Sequence, residues 1–181
     1  MRALVAAVVF LSVIAAVAYL IVRSVPSTQR EIEAAYARLD SAVRSGDVNA
    51  LMAELAPDYH EQRTMQGRLL SRSDAEALYR RAFKDWDHVH NQKADIYRMA
   101  VRGNSANVVV ERTLSGKVTD SGGLYGPKGK VHDATLVTME VDSWTKTPTG
   151  WLMNMRSIAS IDLLIDKQHM HSGVTEHHHD D

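Results

Sequence analysis

The chain has 181 residues, enough for one domain with a core of its own, and contains no cysteine. The absence of cysteine excludes structural disulfides, a thiolate nucleophile and a cysteine-type zinc site. The formal net charge is -1 and no basic stripe is present, so we expect no nucleic-acid partner.

The first feature along the chain is an apolar run from residue 3 to residue 22, interrupted only by Ser12. A helix of that length rises about 30 Å, enough to cross the core of a bilayer. We therefore predict a transmembrane anchor or signal segment over residues 1–23, with the following domain outside the cytoplasm. The alternative is secretion after cleavage near residues 16–18, where the small side chains suit signal peptidase.

Two helices are predicted after a linker at residues 24–28. Thr28 and Glu31 have the spacing of a capping box, which favours a helix start. The apolar face of this first helix repeats at helical spacing: Ile32, Tyr36, Leu39 and Val43. Gly46 suits the end of the helix, and Asp47 can cap a second, shorter one.

A third helix and a series of long strands follow. Residues 71–76 contain two overlapping capping boxes, and the apolar face of the helix is predicted to run to Trp86. The predicted strands are rich in Val, Ile, Thr and Met and cover residues 93–102, 107–119, 131–146 and 151–165. This order predicts an α+β fold with the helices on one face of a curved antiparallel sheet.

With this order of elements, the chain resembles the nuclear-transport-factor-2-like superfamily, and within it the SnoaL-like proteins. The likeness is carried by residues 32–59, where an amphipathic helix, Ser45-Gly46-Asp47 and a short helix lead to Tyr59, and by the hairpin at residues 142–153. The resemblance implies a cone-shaped α+β roll over residues 29–165 that encloses one pocket. Relatives include isomerases, dehydratases, epoxide hydrolases, cyclases and noncatalytic domains, so the resemblance leaves the function open.

Candidate catalytic residues lie on two predicted extended segments. Catalytic members of the superfamily use a carboxylate or histidine as a base inside the cone, so the candidates are Tyr59, His60 and Asp133. Adjacent strand residues point to opposite faces, so Tyr59 and Glu61 share a face that excludes His60, and His132 is separated from Asp133. We therefore expect ordinary structural roles for His60 and Asp133.

The candidate ligand-binding residues are aromatic side chains, a methionine and two arginines: Trp86, Tyr97, Arg112, Met139 and Arg156. The apolar members suit the wall of an adaptable pocket, although core packing explains the same pattern. An inward Arg112 or Arg156 can bind an anionic ligand or pair with Glu140 or Asp142. Ion pairing at the surface is the alternative.

The tail over residues 166–181 is rich in histidine. His177, His178 and His179 precede two aspartates, a combination that can chelate a transition metal. A flexible tail lacks fixed geometry, so we expect it to be solvated and the protein to need no cofactor.

Three functions remain open at this point. The first is a membrane-anchored domain that binds a small apolar ligand or a protein partner. The second is an acid/base enzyme of the isomerase, dehydratase or cyclase type. The third is an assembly module of an envelope complex, which would form a homodimer through the face of its sheet. Convergence of two titratable groups inside the cone favours the enzyme.

Overall fold

The computed structural model describes residues 27–63, 68–122 and 127–169. The predicted anchor at residues 1–23, most of the linker and His177, His178 and His179 lie outside the described residues. Among the residues that are described, none of the helices combines the length and the apolar character that a membrane span needs.

The described residues contain three helices, as predicted: α1 (Ser27–Ser45), α2 (Val48–Ala53) and α3 (Arg72–Asp85). Helix α1 already includes Ser27, so Thr28 lies within the helix and does not cap it. Gly46 ends α1 in the left-handed conformation at φ 67, which a residue with a side chain rarely adopts. Asp47 caps α2 as predicted, because its side chain accepts a hydrogen bond from the backbone of Ala50.

The part of the chain that the structure describes also contains seven strands, which form one sheet: β1 (Leu55–Arg63), β2 (Arg68–Ser71), β3 (Trp86–Arg102), β4 (Ser105–Thr119), β5 (Val131–Thr147), β6 (Gly150–Ile165) and β7 (Gln168–His169). Their order is β2-β1-β6-β5-β4-β3, with β7 on β6 beyond the end of β1. All pairs are antiparallel except β1 with β6, which is parallel. The sheet is therefore a meander to which β1 and β2 add an edge before α3 begins; the sequence predicted a short extended segment over residues 59–70 here, and the structure has two paired strands.

The inward-facing side chains of β5 change in character along the strand, and this change positions the site. From the end of the strand toward its start, they include Trp144, Asp142, Glu140, Thr138, Leu136 and Ala134. Trp144 lies in the main core, where it packs edge-on against Tyr36 of α1 with ring centroids 5.0 Å apart. The carboxylates follow directly, and apolar side chains resume beyond them. A polar band thus separates the main core from the far end of the sheet.

The junction of α3 and β3 depends on a close approach at Gly116 of β4. A side chain there would place its Cβ 2.2 Å from the carbonyl oxygen of His88 and 3.1 Å from the ring of Trp86. Trp86 is the C-cap of α3 and also the first residue of β3, so the prediction that it belongs to the helix is corrected. Its extended backbone, φ -87 and ψ 96, takes the chain straight into the strand.

Candidate functional site

An apolar cavity of about 310 Å³ lies between α3 and the inward face of the sheet. Its walls come from α1, α2, α3 and strands β1, β3, β4, β5 and β6, and they include Leu78, Phe83, Trp86, Leu114, Leu136 and Ile161. The volume lies at the lower end of the range for small-molecule sites. Alternation on the strands explains the wall, because every second residue of β4 and β5 faces the helices.

Two arginines, one from each of the strands that flank β5, line the cavity next to the polar band. Arg112 of β4 donates from Nε to Glu140 Oε2 at 3.0 Å and from Nη2 to Asp142 Oδ2 at 3.4 Å. Its Nη1 donates to Asp40 of α1 at 3.3 Å. Each nitrogen of this guanidinium group is therefore directed to a different carboxylate.

Arg156 of β6 binds the same two strand carboxylates from the other side. Its Nε lies 3.0 Å from Asp142 Oδ1 and 3.0 Å from Glu140 Oε2, and its Nη2 donates to Asp142 Oδ2 at 3.3 Å. The pairing of Arg112 and Arg156 with Glu140 and Asp142 is one of the alternatives that the sequence left open. The pairing is buried, whereas surface ion pairing was the other expectation.

Glu61 forms a second polar cluster at the edge of the cavity. Its Oε2 accepts hydrogen bonds from Tyr79 of α3 at 2.6 Å and from Tyr59 of β1 at 3.1 Å. Its Oε1 accepts from Nε of Arg63 at 2.8 Å. Residues 59, 61 and 63 share one face of β1, so the strand delivers both the carboxylate and two of its donors.

The pKa values of the buried acids in these clusters are shifted in opposite directions: those of Glu61 and Glu140 are lowered, and that of Asp142 is raised. Burial raises the pKa of Glu61, but the charge of Arg156 and the hydrogen bonds from Tyr79 and Arg63 outweigh it and hold the pKa below its ordinary value. Burial likewise opposes ionisation of Glu140, yet the two arginines lower its pKa. Asp142 differs, because burial and the neighbouring Glu140 charge keep its pKa raised despite Arg156.

The tyrosines around these acids remain protonated donors. Burial is the main cause of the raised pKa of Tyr79 and of Tyr59, and the negative charge of Glu61 adds to it in both. Tyr36 on α1 behaves in the same way, because burial and the charge of Asp142 raise its pKa. It donates to Asp142 Oδ2 at 2.9 Å. The site at neutral pH therefore consists of carboxylates held by arginines and neutral phenols.

The structure separates the three candidate catalytic residues. Tyr59 is buried and faces inward with Glu61, as strand alternation predicts. His60 is exposed on the other face, where its Nδ1 lies 2.7 Å from the carbonyl oxygen of Asp58. Asp133 is also outside, with 72% of its side chain exposed and Lys117 at 3.5 Å. His60 and Asp133 are thus far from forming a pair inside the cavity.

The candidate ligand-binding residues divide into two groups. Trp86, Arg112 and Arg156 line the cavity. Tyr97 is 62% exposed, and Met139 faces outward between the inward Thr138 and Glu140, so the expectation that these two line the pocket is corrected. The reason is the two-residue period of the strands. Among the described residues no group of three or more His, Asp or Glu side chains is arranged to hold a metal ion.

Sequence reasoning missed two side chains of the site and undervalued a third. Tyr79 lies at helical spacing on the apolar face of α3, and its hydroxyl group gives no separate signal in the sequence. Asp40 follows the core residue Leu39 on α1, and helical spacing alone does not show that it reaches Arg112. Glu61 shares its face with Tyr59 in a strand that begins with buried apolar residues, which is a signal for an inward carboxylate.

Comparison with known proteins identifies the fold. No protein-family model and no curated protein matches the sequence. Among solved structures, the chain is similar to a nuclear-transport-factor-2-like protein of Cytophaga hutchinsonii, with a TM-score of 0.57, 15% identity, and 75% of this chain and 99% of that chain covered. The chain has the nuclear-transport-factor-2-like fold. This confirms the fold that the resemblance of the helix and hairpin motifs implied.

Two further structures with this fold have names that suggest activities of their own. One is a candidate dehydratase of Streptomyces avermitilis, with a TM-score of 0.53, 15% identity, and coverage of 71% of this chain and 92% of that chain. The other is a candidate aromatic ring hydroxylase of Novosphingobium aromaticivorans, with a TM-score of 0.59, 13% identity, and coverage of 78% and 96%. At these identities the likeness shows the fold alone.

Proposed function

We propose that the cavity binds a small, mainly apolar molecule. The observation that carries this proposal is the cavity of about 310 Å³ itself, whose wall of Leu, Ile, Phe and Trp side chains is large enough to cover such a ligand. Filling it removes apolar surface from water on both sides, which is the main source of affinity in sites of this kind.

The arginines give the ligand a preferred orientation. The side chains of Arg112 and Arg156 are each 11% exposed, while those of Glu140 and Asp142 behind them are 3% and 0% exposed. A polar atom of a ligand therefore meets guanidinium groups first. The apolar part of the ligand extends away from them toward Phe83 and Leu136.

An acid/base enzyme is the second candidate, because titratable groups do converge inside the cone. Glu61, Tyr79, Glu140 and Arg156 all line the same cavity, and Tyr79 lies 2.6 Å from Glu61. Such an arrangement offers a base and an electrophilic donor. The lowered pKa values of Glu61 and Glu140 rank this candidate second, since an efficient base has a pKa near the working pH.

A pair of tryptophan substitutions on α3 tests ligand binding. Ala82 lines the cavity and Ala77 is exposed on the same helix, so Ala82→Trp fills the site while Ala77→Trp is the matched control. Naphthalene is expected to raise the melting temperature of the wild type and of Ala77→Trp, because a ligand that binds only the folded state stabilises it. Ala82→Trp should show no such shift. An equal shift in both variants would contradict the proposal.

We also propose that residues 3–22 anchor the protein in a membrane with its folded domain outside the cytoplasm. The apolar run supports the anchor.

We further propose that the outer face of the sheet contacts a second copy of the chain. Support for the second copy comes from apolar side chains on the outer face, where Tyr97 and Val141 are 62% and 39% exposed. Light scattering that gives a monomer mass at every concentration would contradict the pairing.

A further inference from the structure

We infer that the cavity selects an uncharged ligand and rejects organic anions, although two arginines line it. This inference rests on the proposed function, because it names the class of molecule that the same cavity takes. An exposed arginine in a pocket ordinarily indicates a carboxylate or phosphate ligand. Here the surroundings of the arginines lead to the opposite conclusion.

Both guanidinium groups are already paired with carboxylates of the protein. Arg112 is within 3.4 Å of Asp40, Glu140 and Asp142, and Arg156 is 3.0 Å from both Glu140 and Asp142. The positive charge of each guanidinium group is thus already balanced by buried carboxylates of the protein. A ligand carboxylate would either compete with them for that charge or displace one of them and leave it buried without a counterion, which is strongly unfavourable. The N–H groups that these carboxylates do not use can still donate to a neutral acceptor.

The charge count around the cavity leaves no positive charge for an anion. The acids are Asp40, Glu61, Glu140 and Asp142, four negative charges, and the bases are Arg63, Arg112 and Arg156, three positive charges. The sum is -1 with every group ionised. A proton on Asp142, whose pKa burial and Glu140 raise, brings the sum only to zero.

A cationic ligand is disfavoured for a different reason. The carboxylates that would attract it are almost completely covered, with Glu61, Glu140 and Asp142 exposed by 1%, 3% and 0%. Glu61 and Glu140 line the cavity but are nearly covered, so most of the surface that a ligand meets belongs to apolar side chains, guanidinium groups and the neutral polar groups of Tyr79, Gln92 and Thr138. A cation would lose its hydration there without gaining a partner. A neutral hydrogen-bond acceptor, such as an amide or ketone oxygen, needs neither an unbalanced positive charge nor an accessible carboxylate, so it suits this cavity.

Three planar probes of the same shape test this selection. They are 2-naphthamide, which is neutral, 2-naphthoate, which is an anion, and 2-naphthamidine, which is a cation. Calorimetric titration of the full-length chain near neutral pH should give an affinity for 2-naphthamide at least about tenfold above that for either charged probe. Heat that persists in Ala82→Trp measures binding outside the cavity and is subtracted.

The substitution Asp40→Asn isolates the charge effect. Asp40 contacts Arg112 without lining the cavity, so loss of its charge frees part of the positive charge of Arg112. The amide oxygen of an asparagine can still accept the hydrogen bond that the lining residue Gln92 donates to Asp40, so the wall keeps its shape. We expect the affinity for 2-naphthoate to rise about fivefold and that for 2-naphthamide to stay constant. Asp58→Asn makes the same change of charge at an exposed position and should alter neither affinity.

The outcomes separate this inference from the proposed function. If 2-naphthoate binds as tightly as 2-naphthamide, or if Asp40→Asn leaves the binding of 2-naphthoate unchanged, the selection is overturned while the cavity remains a binding site. If neither naphthalene nor any of the three probes binds, the proposed function itself is overturned.

Discussion

Glu61 is the residue whose charge state matters most for the stability of the site. It is 1% exposed and depends on Tyr59, Arg63 and Tyr79 for its hydrogen bonds. Its pKa in the folded protein is below the ordinary value of 4.5. A lowered carboxyl pKa stabilises the fold above about pH 4.5, and this contribution is lost as the pH falls through the folded-state value.

Glu61→Gln is therefore expected to destabilise the protein in a pH-dependent way. At neutral pH the loss should be about 3 kcal/mol, because the donors of a buried carboxylate lose its charge. At about pH 3.5 the difference from the wild type should be smaller, because the unfolded chain then binds the proton of Glu61 while the folded protein, with its lowered pKa, binds it only at lower pH. Urea denaturation at the two pH values measures both differences. An exposed control, Glu33→Gln, should be nearly neutral, and a constant loss for Glu61→Gln would contradict the account.

Unlike Glu61, the residues His60 and Asp133 are expected to contribute little to the stability of the fold. Both side chains are exposed and make only surface contacts. We expect His60→Ala and Asp133→Asn to stay folded and to change the free energy of unfolding by about 0.5 kcal/mol or less, as at most surface positions. Urea denaturation checks this. A loss of about 2 kcal/mol in either variant would show that the residue has a buried partner.

At the scale of elements, Gly116 couples β4 to the start of β3. Gly116→Ala would push against the backbone of His88, so we expect a loss of about 1–3 kcal/mol and a changed tryptophan fluorescence as Trp86 moves. The neighbouring Lys117→Ala, on the exposed face, is the control. If Gly116→Ala has the stability and the spectrum of the wild type, β3 does not approach β4 this closely.

Some of these elements can be predicted from the sequence, and the boundaries of others cannot. Helical spacing in α1 and the long β-branched runs of β4 and β5 are local signals, and they predict the elements correctly. The end of α3 is decided by the fit of Trp86 over Gly116, which joins residues thirty positions apart and leaves no local pattern. The polar cluster is predicted only in part for the same reason, because Asp40 meets Arg112 through tertiary packing.

On the scale of the whole molecule, the proposed anchor is the apolar run at residues 3–22. Its length exceeds what a signal core needs, so the full-length chain is expected to stay with the membrane fraction after a carbonate wash. A soluble chain that begins near Tyr19 would contradict the anchor and favour secretion.

We propose above that the cavity between α3 and the sheet is a binding site. The most direct test is a crystal of the full-length chain grown with 2-bromonaphthalene, with diffraction measured at the bromine absorption edge. The account predicts an anomalous bromine peak inside the cavity, bounded by Phe83, Trp86 and Leu136. A peak only on the outer face of the sheet, or no peak at all, would contradict it.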